Sequence, residues 1–168
     1  TYGLGIYKNR KGEKTWQPLT RGLKDYYIHS VFVDSDQTLY AGTIRQGAFK
    51  SVDGGEHWFQ INGGLPDSEV QVITMGPRRL LYAGTGSGVF ISRDQGKSWS
   101  ALNDGIKRVL VRTIAFGGDT IYLGSAGMGA YRSLDQGKSW ERINQGMVEG
   151  DEYPEDFIRA MVMDRNLY

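Results

Sequence analysis

Three aspartates in this chain recur in the same company. They stand in Ser51-Val52-Asp53-Gly54-Gly55-Glu56-His57-Trp58, Ser92-Arg93-Asp94-Gln95-Gly96-Lys97-Ser98-Trp99 and Ser133-Leu134-Asp135-Gln136-Gly137-Lys138-Ser139-Trp140, 41 residues from one copy to the next. A carboxylate beside a tryptophan could act in acid–base catalysis or bind calcium. The same residue types are also the chemistry of a tight turn. A short carboxylate accepts bonds from nearby backbone N–H groups, glycine takes a positive φ, and the tryptophan covers the turn or packs between units. The turn is the expected role for Ser51, Asp53, Gly55 and Trp58 and for Ser92, Asp94, Gly96 and Trp99. It is equally the expected role for Ser133, Asp135, Gly137 and Trp140.

A second set of side chains is defined by register. Before each of these phrases lie three short runs rich in β-branched and aromatic residues, and a fourth begins at its tryptophan; these are runs A to D. The A runs are Ile28 to Val33, Val70 to Met75, Val111 to Phe116 and Ile158 to Met163, and their second residues are His29, Gln71, Arg112 and Arg159. Equivalent positions on equivalent strands form a polar ring, and arginine in such a ring suits bidentate capture of a carboxylate or phosphate. A protein partner or an anionic or glycan ligand is the expected occupant.

The third set is acidic. The link from Gly146 to Ile158 is longer than its counterparts and carries Glu149, Asp151, Glu152, Glu155 and Asp156, which read as a solvated loop or a partner loop. Asp25, Asp67, Asp104 and Asp151 lie in loops on the same side as the ring. A pair of such carboxylates could cleave a glycoside, although no specific motif surrounds any of them.

Other chemistries find no residues. The chain has no cysteine, which removes disulfides, thiolate zinc sites and cysteine catalysis. His29 and His57 are too isolated for a metal site, and no metal or cofactor is expected. Gly84, Gly86 and Gly88 resemble half a dinucleotide fingerprint, but no helical pattern follows them. A net charge of +1 predicts no overall attraction to nucleic acid, and Arg78-Arg79 reads as a solvated turn. No apolar run approaches the roughly 18 residues of a membrane-spanning helix.

The elements that must position these residues are strands. No segment sustains a helical period, each run is bounded by Gly, Asp or Asn, and four runs recur in order through the chain. An all-β chain of four repeats of about 41 residues, each a four-stranded antiparallel blade, fits a β-propeller, with residues 1–168 as a single domain. The A strands then line a channel, and the aspartate turns fall on the face opposite the ring. The repeat ending at Trp16 is worn: Asn9, Lys11 and Glu13 stand where the others have Ser, Asp and Gly, so its hairpin should lack the staple and be the least rigid. The chain opens in a B to C link at Tyr2 to Tyr7 and stops in a B run at Asn166 to Tyr168. A segment of a larger propeller, a closed four-blade ring and two copies joined in an eight-blade ring are all compatible with that phasing.

The pattern Ser-x-Asp-x-Gly-x-x-Trp resembles the Asp-box, or bacterial neuraminidase repeat, across essentially the whole chain. The resemblance implies a β-propeller. Such propellers include sialidases, xyloglucanases, sortilin-type receptors, the photosystem II assembly factor and exported bacterial proteins. The run Tyr82 to Phe90 joined to a box is most similar to the assembly-factor and exported group, which implies a non-catalytic interaction module and an exported location. In the assembly factor an arginine-lined patch is associated with partner binding; Arg112 and Arg159 match it in position and type, whereas His29 and Gln71 depart from it. The alternative implied is a glycan-active or glycan-binding segment. Sialidases use three arginines on the substrate carboxylate, and this chain has two at the ring and lacks the Arg-Ile-Pro type motif.

Overall fold

A computed structural model describes residues 3–9, 11–106, 108–146 and 158–162. Its strands are β1 (Tyr7–Lys8), β2 (Gln17–Pro18), β3 (Ile28–Val33), β4 (Leu39–Thr43), β5 (Ala48–Ser51), β6 (Phe59–Gln60) and β7 (Val70–Met75). They continue with β8 (Leu81–Thr85), β9 (Gly88–Ser92), β10 (Ser100–Ala101), β11 (Val111–Gly117), β12 (Thr120–Ser125), β13 (Ala130–Ser133) and β14 (Glu141–Arg142). Among the described residues the one helical piece is a 3-10 turn at Pro77–Arg79.

The chain is all-β and has the blade architecture of a propeller. β3–β6, β7–β10 and β11–β14 each form a four-stranded antiparallel sheet with neighbours in chain order, while β1 and β2 form a two-stranded sheet. The worn repeat therefore appears as the outer half of a blade. Of the expected A strand at Ile158 to Met163, residues 158–162 are described and carry no strand. Ile158 is nonetheless docked, its N–H donating to the Ser125 carbonyl at 2.9 Å. The acidic residues Glu149, Asp151, Glu152, Glu155 and Asp156 lie outside the described residues.

The apolar core sits between sheets. β7 packs on β3 and β4, and β11 packs on β7 and β8. Tyr40 and Ala48 of one blade are buried with Val70, Ile73, Leu81 and Phe90 of the next, and Tyr82, Val89 and Ile91 with Val111, Ile114 and Leu123. Each large side chain so buried contributes about 1.5–3 kcal/mol. Close approach depends on a glycine in each B strand: a Cβ on Gly42 would meet the Val70 carbonyl at 2.7 Å, and one on Gly84 would meet the Val111 carbonyl at 2.7 Å.

The Asp phrase closes each C to D hairpin by a fixed set of bonds. The Ser51, Ser92 and Ser133 hydroxyls donate to Asp53, Asp94 and Asp135 at 2.8 Å each. The same oxygens accept from the Gly55, Gly96 and Gly137 N–H groups at 2.9, 2.7 and 2.7 Å. Each carboxylate also accepts the backbone N–H four residues on, from His57, Ser98 and Ser139 at 3.0, 2.9 and 2.9 Å. The indole N–H groups of Trp58, Trp99 and Trp140 reach back to the Leu19, Ile61 and Leu102 carbonyls of the preceding blade at 3.1, 2.7 and 2.7 Å. The phrase is thus a hairpin staple and an inter-blade key together. In the worn copy Asn9 supplies a substitute, its amide donating to the Glu13 and Thr15 carbonyls at 3.0 and 2.8 Å, and Trp16 is 66% exposed.

Candidate functional site

The D to A loops and B to C turns gather at the end of each blade opposite the Asp phrases, and asparagines tie them together. Asn62, Asn103 and Asn144, just after each D strand, accept the first or second N–H of strand C, from Ala48, Val89 and Ala130, at 2.8 Å each. Asp25 accepts the Tyr27 and Arg45 N–H groups at 3.0 and 2.8 Å. Asp67 accepts the Thr85 hydroxyl at 2.9 Å and the Ser87 N–H at 2.8 Å. These two acid–base candidates are loop ties, Asp25 holding the turn beneath it through both oxygens and Asp67 through Oδ2. Asp104 is exposed, and Asp151 lies outside the described residues.

The ring residues share a backbone feature that spacing alone did not reveal. Each A strand is out of register at its second residue: the pairing shifts between Ile28 and Ser30, between Val70 and Val72, and between Val111 and Thr113. His29, Gln71 and Arg112 are the skipped residues. A β-bulge of this kind bends the strand, leaves its extra residue out of the ladder and re-aims the side chain. Three equivalent bulges therefore present three polar side chains at the loop end of the inner strands.

These side chains are unequal electrostatically. The Gln71 amide donates to Glu69, and His29 Nε2 lies 3.6 Å from the same carboxylate oxygen, so Glu69 links two blades. Arg112 is half-buried at the corresponding place on the third blade, and Arg159 is exposed beside Ile158. The third blade also lacks the loop aspartate. Where Asp25 and Asp67 stand three residues after the loop glycine, it has Arg108, exposed and with φ of 61°. The first two inner strands thus share a carboxylate, whereas the third blade carries Arg112 at its bulge and Arg108 in its loop. Neither Glu69 nor Arg108 was legible as a site residue; the available signal was Glu69 directly preceding an A run and Arg108 replacing the loop aspartate.

On the opposite face Arg78 and Arg79 form bridges between blades. Arg79 pairs with Asp36 and, at 3.8 Å, with Asp34 of the preceding blade; Arg78 meets Asp119 of the following one at 3.1 Å. The expected solvated turn is an inter-blade belt. Among the described residues no cluster of three or more His, Asp or Glu side chains is placed to hold a metal ion.

The blade fold and the recurring box make the chain similar to Asp-box β-propellers. The BNR/Asp-box repeat signature matches residues 90–101. The extracellular domain of a one-component system from B. thetaiotaomicron is 16% identical with a TM-score of 0.70, over 84% of this chain and 20% of that one. An ancestral GH74 enzyme is 24% identical with a TM-score of 0.62, over 77% of this chain and 19% of that one. YCF48 from Cyanidioschyzon merolae is 17% identical with a TM-score of 0.62, over 86% of this chain and 52% of that one. YCF48 bound to D1 peptide gives 17% identity and a TM-score of 0.63, over 83% of this chain and 46% of that one. The chain thus spans from about a fifth to about half of these structures. No curated protein sequence matches it. Among the described residues no helix is long and apolar enough to cross a membrane.

Proposed function

We propose that this chain is a non-catalytic interaction module that takes a protein partner through an anionic group, at the loop end of its A strands. The observation that carries this reading is the recurring bulge, which places His29, Gln71 and Arg112 at one position on successive blades. Arg108, Arg112 and Arg159 would supply the basic side, and Glu69 would hold His29 and Gln71 in place on the other. Arginine is suited to this task because its planar fork matches a carboxylate or phosphate. The peptide-bound structure of YCF48, which shares the fold, supports a peptide as the kind of partner. An extracytoplasmic setting fits the extracellular domain that shares this fold. The hydrogen-bonded state of Asp25 and Asp67 weighs against a glycosidase acid–base pair.

The test uses an acidic peptide and inorganic phosphate as probes, titrated into the isotopically labelled chain. Arg112 and Arg159 side-chain resonances are expected to shift. Arg112→Ala with Arg159→Ala should weaken binding about tenfold or more, the equivalent of about 1.4 kcal/mol. Binding that is unchanged in the double variant would remove the ring as the site.

A further inference from the structure

The B to C turn of the β11–β14 blade is built on the same bonds as that of the β3–β6 blade, with one exception. In the β3–β6 blade the Thr43 hydroxyl donates to the Gly47 carbonyl at 2.9 Å and accepts the Gln46 N–H at 3.1 Å. The Ile44 N–H reaches the Tyr27 carbonyl at 3.0 Å. In the β11–β14 blade the Ser125 hydroxyl donates to the Gly129 carbonyl at 2.7 Å and accepts the Met128 N–H at 3.1 Å. The Ala126 N–H reaches the Leu110 carbonyl at 3.0 Å. Gly127 therefore holds the place of Arg45 in the turn, and Leu110 that of Tyr27 in the loop beside it. Asp25 accepts the Arg45 N–H at 2.8 Å through one oxygen and the Tyr27 N–H at 3.0 Å through the other. In the β7–β10 blade Asp67 accepts the equivalent Ser87 N–H at 2.8 Å.

The β11–β14 blade keeps the donors and has exchanged the acceptor. Arg108 stands where the aspartate would be, and no described residue accepts the Gly127 or the Leu110 N–H. The backbone at Arg108 is left-handed, with φ of 61°; Val109 after it is buried at 2% exposure, and Arg108 itself is exposed. Gly127 is exposed too, and a Cβ placed on it would meet nothing within 4 Å. A lone N–H in water holds an anion poorly. Beside a guanidinium the same donor becomes part of a charge-assisted pair, which is shorter and stronger.

We propose that a carboxylate of the partner completes this blade, accepting the Gly127 N–H where Asp25 and Asp67 accept in theirs and pairing with the Arg108 guanidinium. The inference rests on the loop end being the partner face, and it names a seat separate from the bulge positions. A carboxylate is the fitting occupant because the turn receives that planar, two-oxygen group from its own chain in the other two blades. An Asp or Glu side chain or a free C-terminus supplies it.

Acetate is the minimal probe, titrated at constant ionic strength and followed through the backbone amide resonances. The Gly127 amide should move saturably. The Arg45 and Ser87 amides, already bonded to Asp25 and Asp67, should stay still. Arg108→Asp returns a carboxylate to the loop, at a residue type that tolerates a positive φ, and should weaken acetate binding about tenfold or more. Unchanged Arg45 and Ser87 resonances in that variant report that the fold is kept. An acidic peptide with an amidated C-terminus and a neutral peptide with a free one separate the two sources of the group, and a Gly127 shift with one of them supports the seat. A Gly127 amide unmoved by acetate and by both peptides, or an equal response in Arg108→Asp, would overturn the proposal. Inorganic phosphate acting at about a tenth of the acetate concentration would overturn the choice of a carboxylate. Shifts at Arg112 and Arg159 without one at Gly127 would remove this seat and leave the bulge ring as the site.

Discussion

Asp94 keeps its charge to unusually low pH because the Ser98 hydroxyl, the Ser98 N–H and the Ser92 hydroxyl all donate to it, which holds its pKa at about 2 against an ordinary 3.8. Asp135 is held at about 2 by the same set, and Asp53 at about 2 by the His57 N–H and ring together with Ser51. A depressed native pKa means that the unfolded chain takes up protons first. The stability these groups contribute is complete above the ordinary value and is lost as pH falls through about 2. Acid unfolding followed by tryptophan fluorescence should therefore deepen between about pH 4 and pH 2. Asp94→Asn should lower the midpoint temperature at pH 7 and flatten that dependence; an unaltered profile would mean that the staple carries no linkage. The box could be read in sequence because all its hydrogen-bonding partners other than that of the tryptophan lie within six residues. Glu69 could not, since His29 belongs to the preceding blade and meets it only after the sheets stack.

Among the elements, the B strands are the least tolerant of change. Gly84 is flanked on one side by Val72 and on the other by the Val111 backbone, so a methyl group there would meet carbonyl oxygen at 2.7 Å. Gly84→Ala is expected to cost about 1–3 kcal/mol by forcing two blades apart. Gly86→Ala, one turn away with only an Asp67 oxygen at 3.9 Å, should be far milder, and chemical denaturation of the two variants makes the comparison. Strand positions were legible because alternation and punctuation are local signals. The bulges were not, because a register shift is a relation between two strands and leaves no mark on one: Ile28-His29-Ser30 reads as ordinary strand until it is laid against Gly42 and Thr43. The same reason hid the roles of Asp25 and Asp67, which look like free loop carboxylates until the turn beneath them is in place.

At the scale of the whole molecule, the three four-stranded sheets and the β1–β2 pair among the described residues are held by contacts between nearest neighbours, as in other repeat proteins whose stability is a sum of unit and interface contributions. Repeat number and phase followed from the tryptophan spacing, but the packing of one blade on the next depended on which strands actually pair. The indoles of Trp58, Trp99 and Trp140 all reach towards the N-terminus, to Leu19, Ile61 and Leu102. This gives the stack a direction. A blade emerging from the ribosome finds the carbonyl that receives its tryptophan already made, whereas no finished blade waits on a later one for its key. A chain stopped after Ile106 should keep slow amide exchange in β3 to β9, while one begun at Asp25, deprived of Leu19 and its carbonyl, should lose protection in β3 to β6. Synthesis order and assembly order would then coincide, so that the nascent chain builds each blade upon its elder.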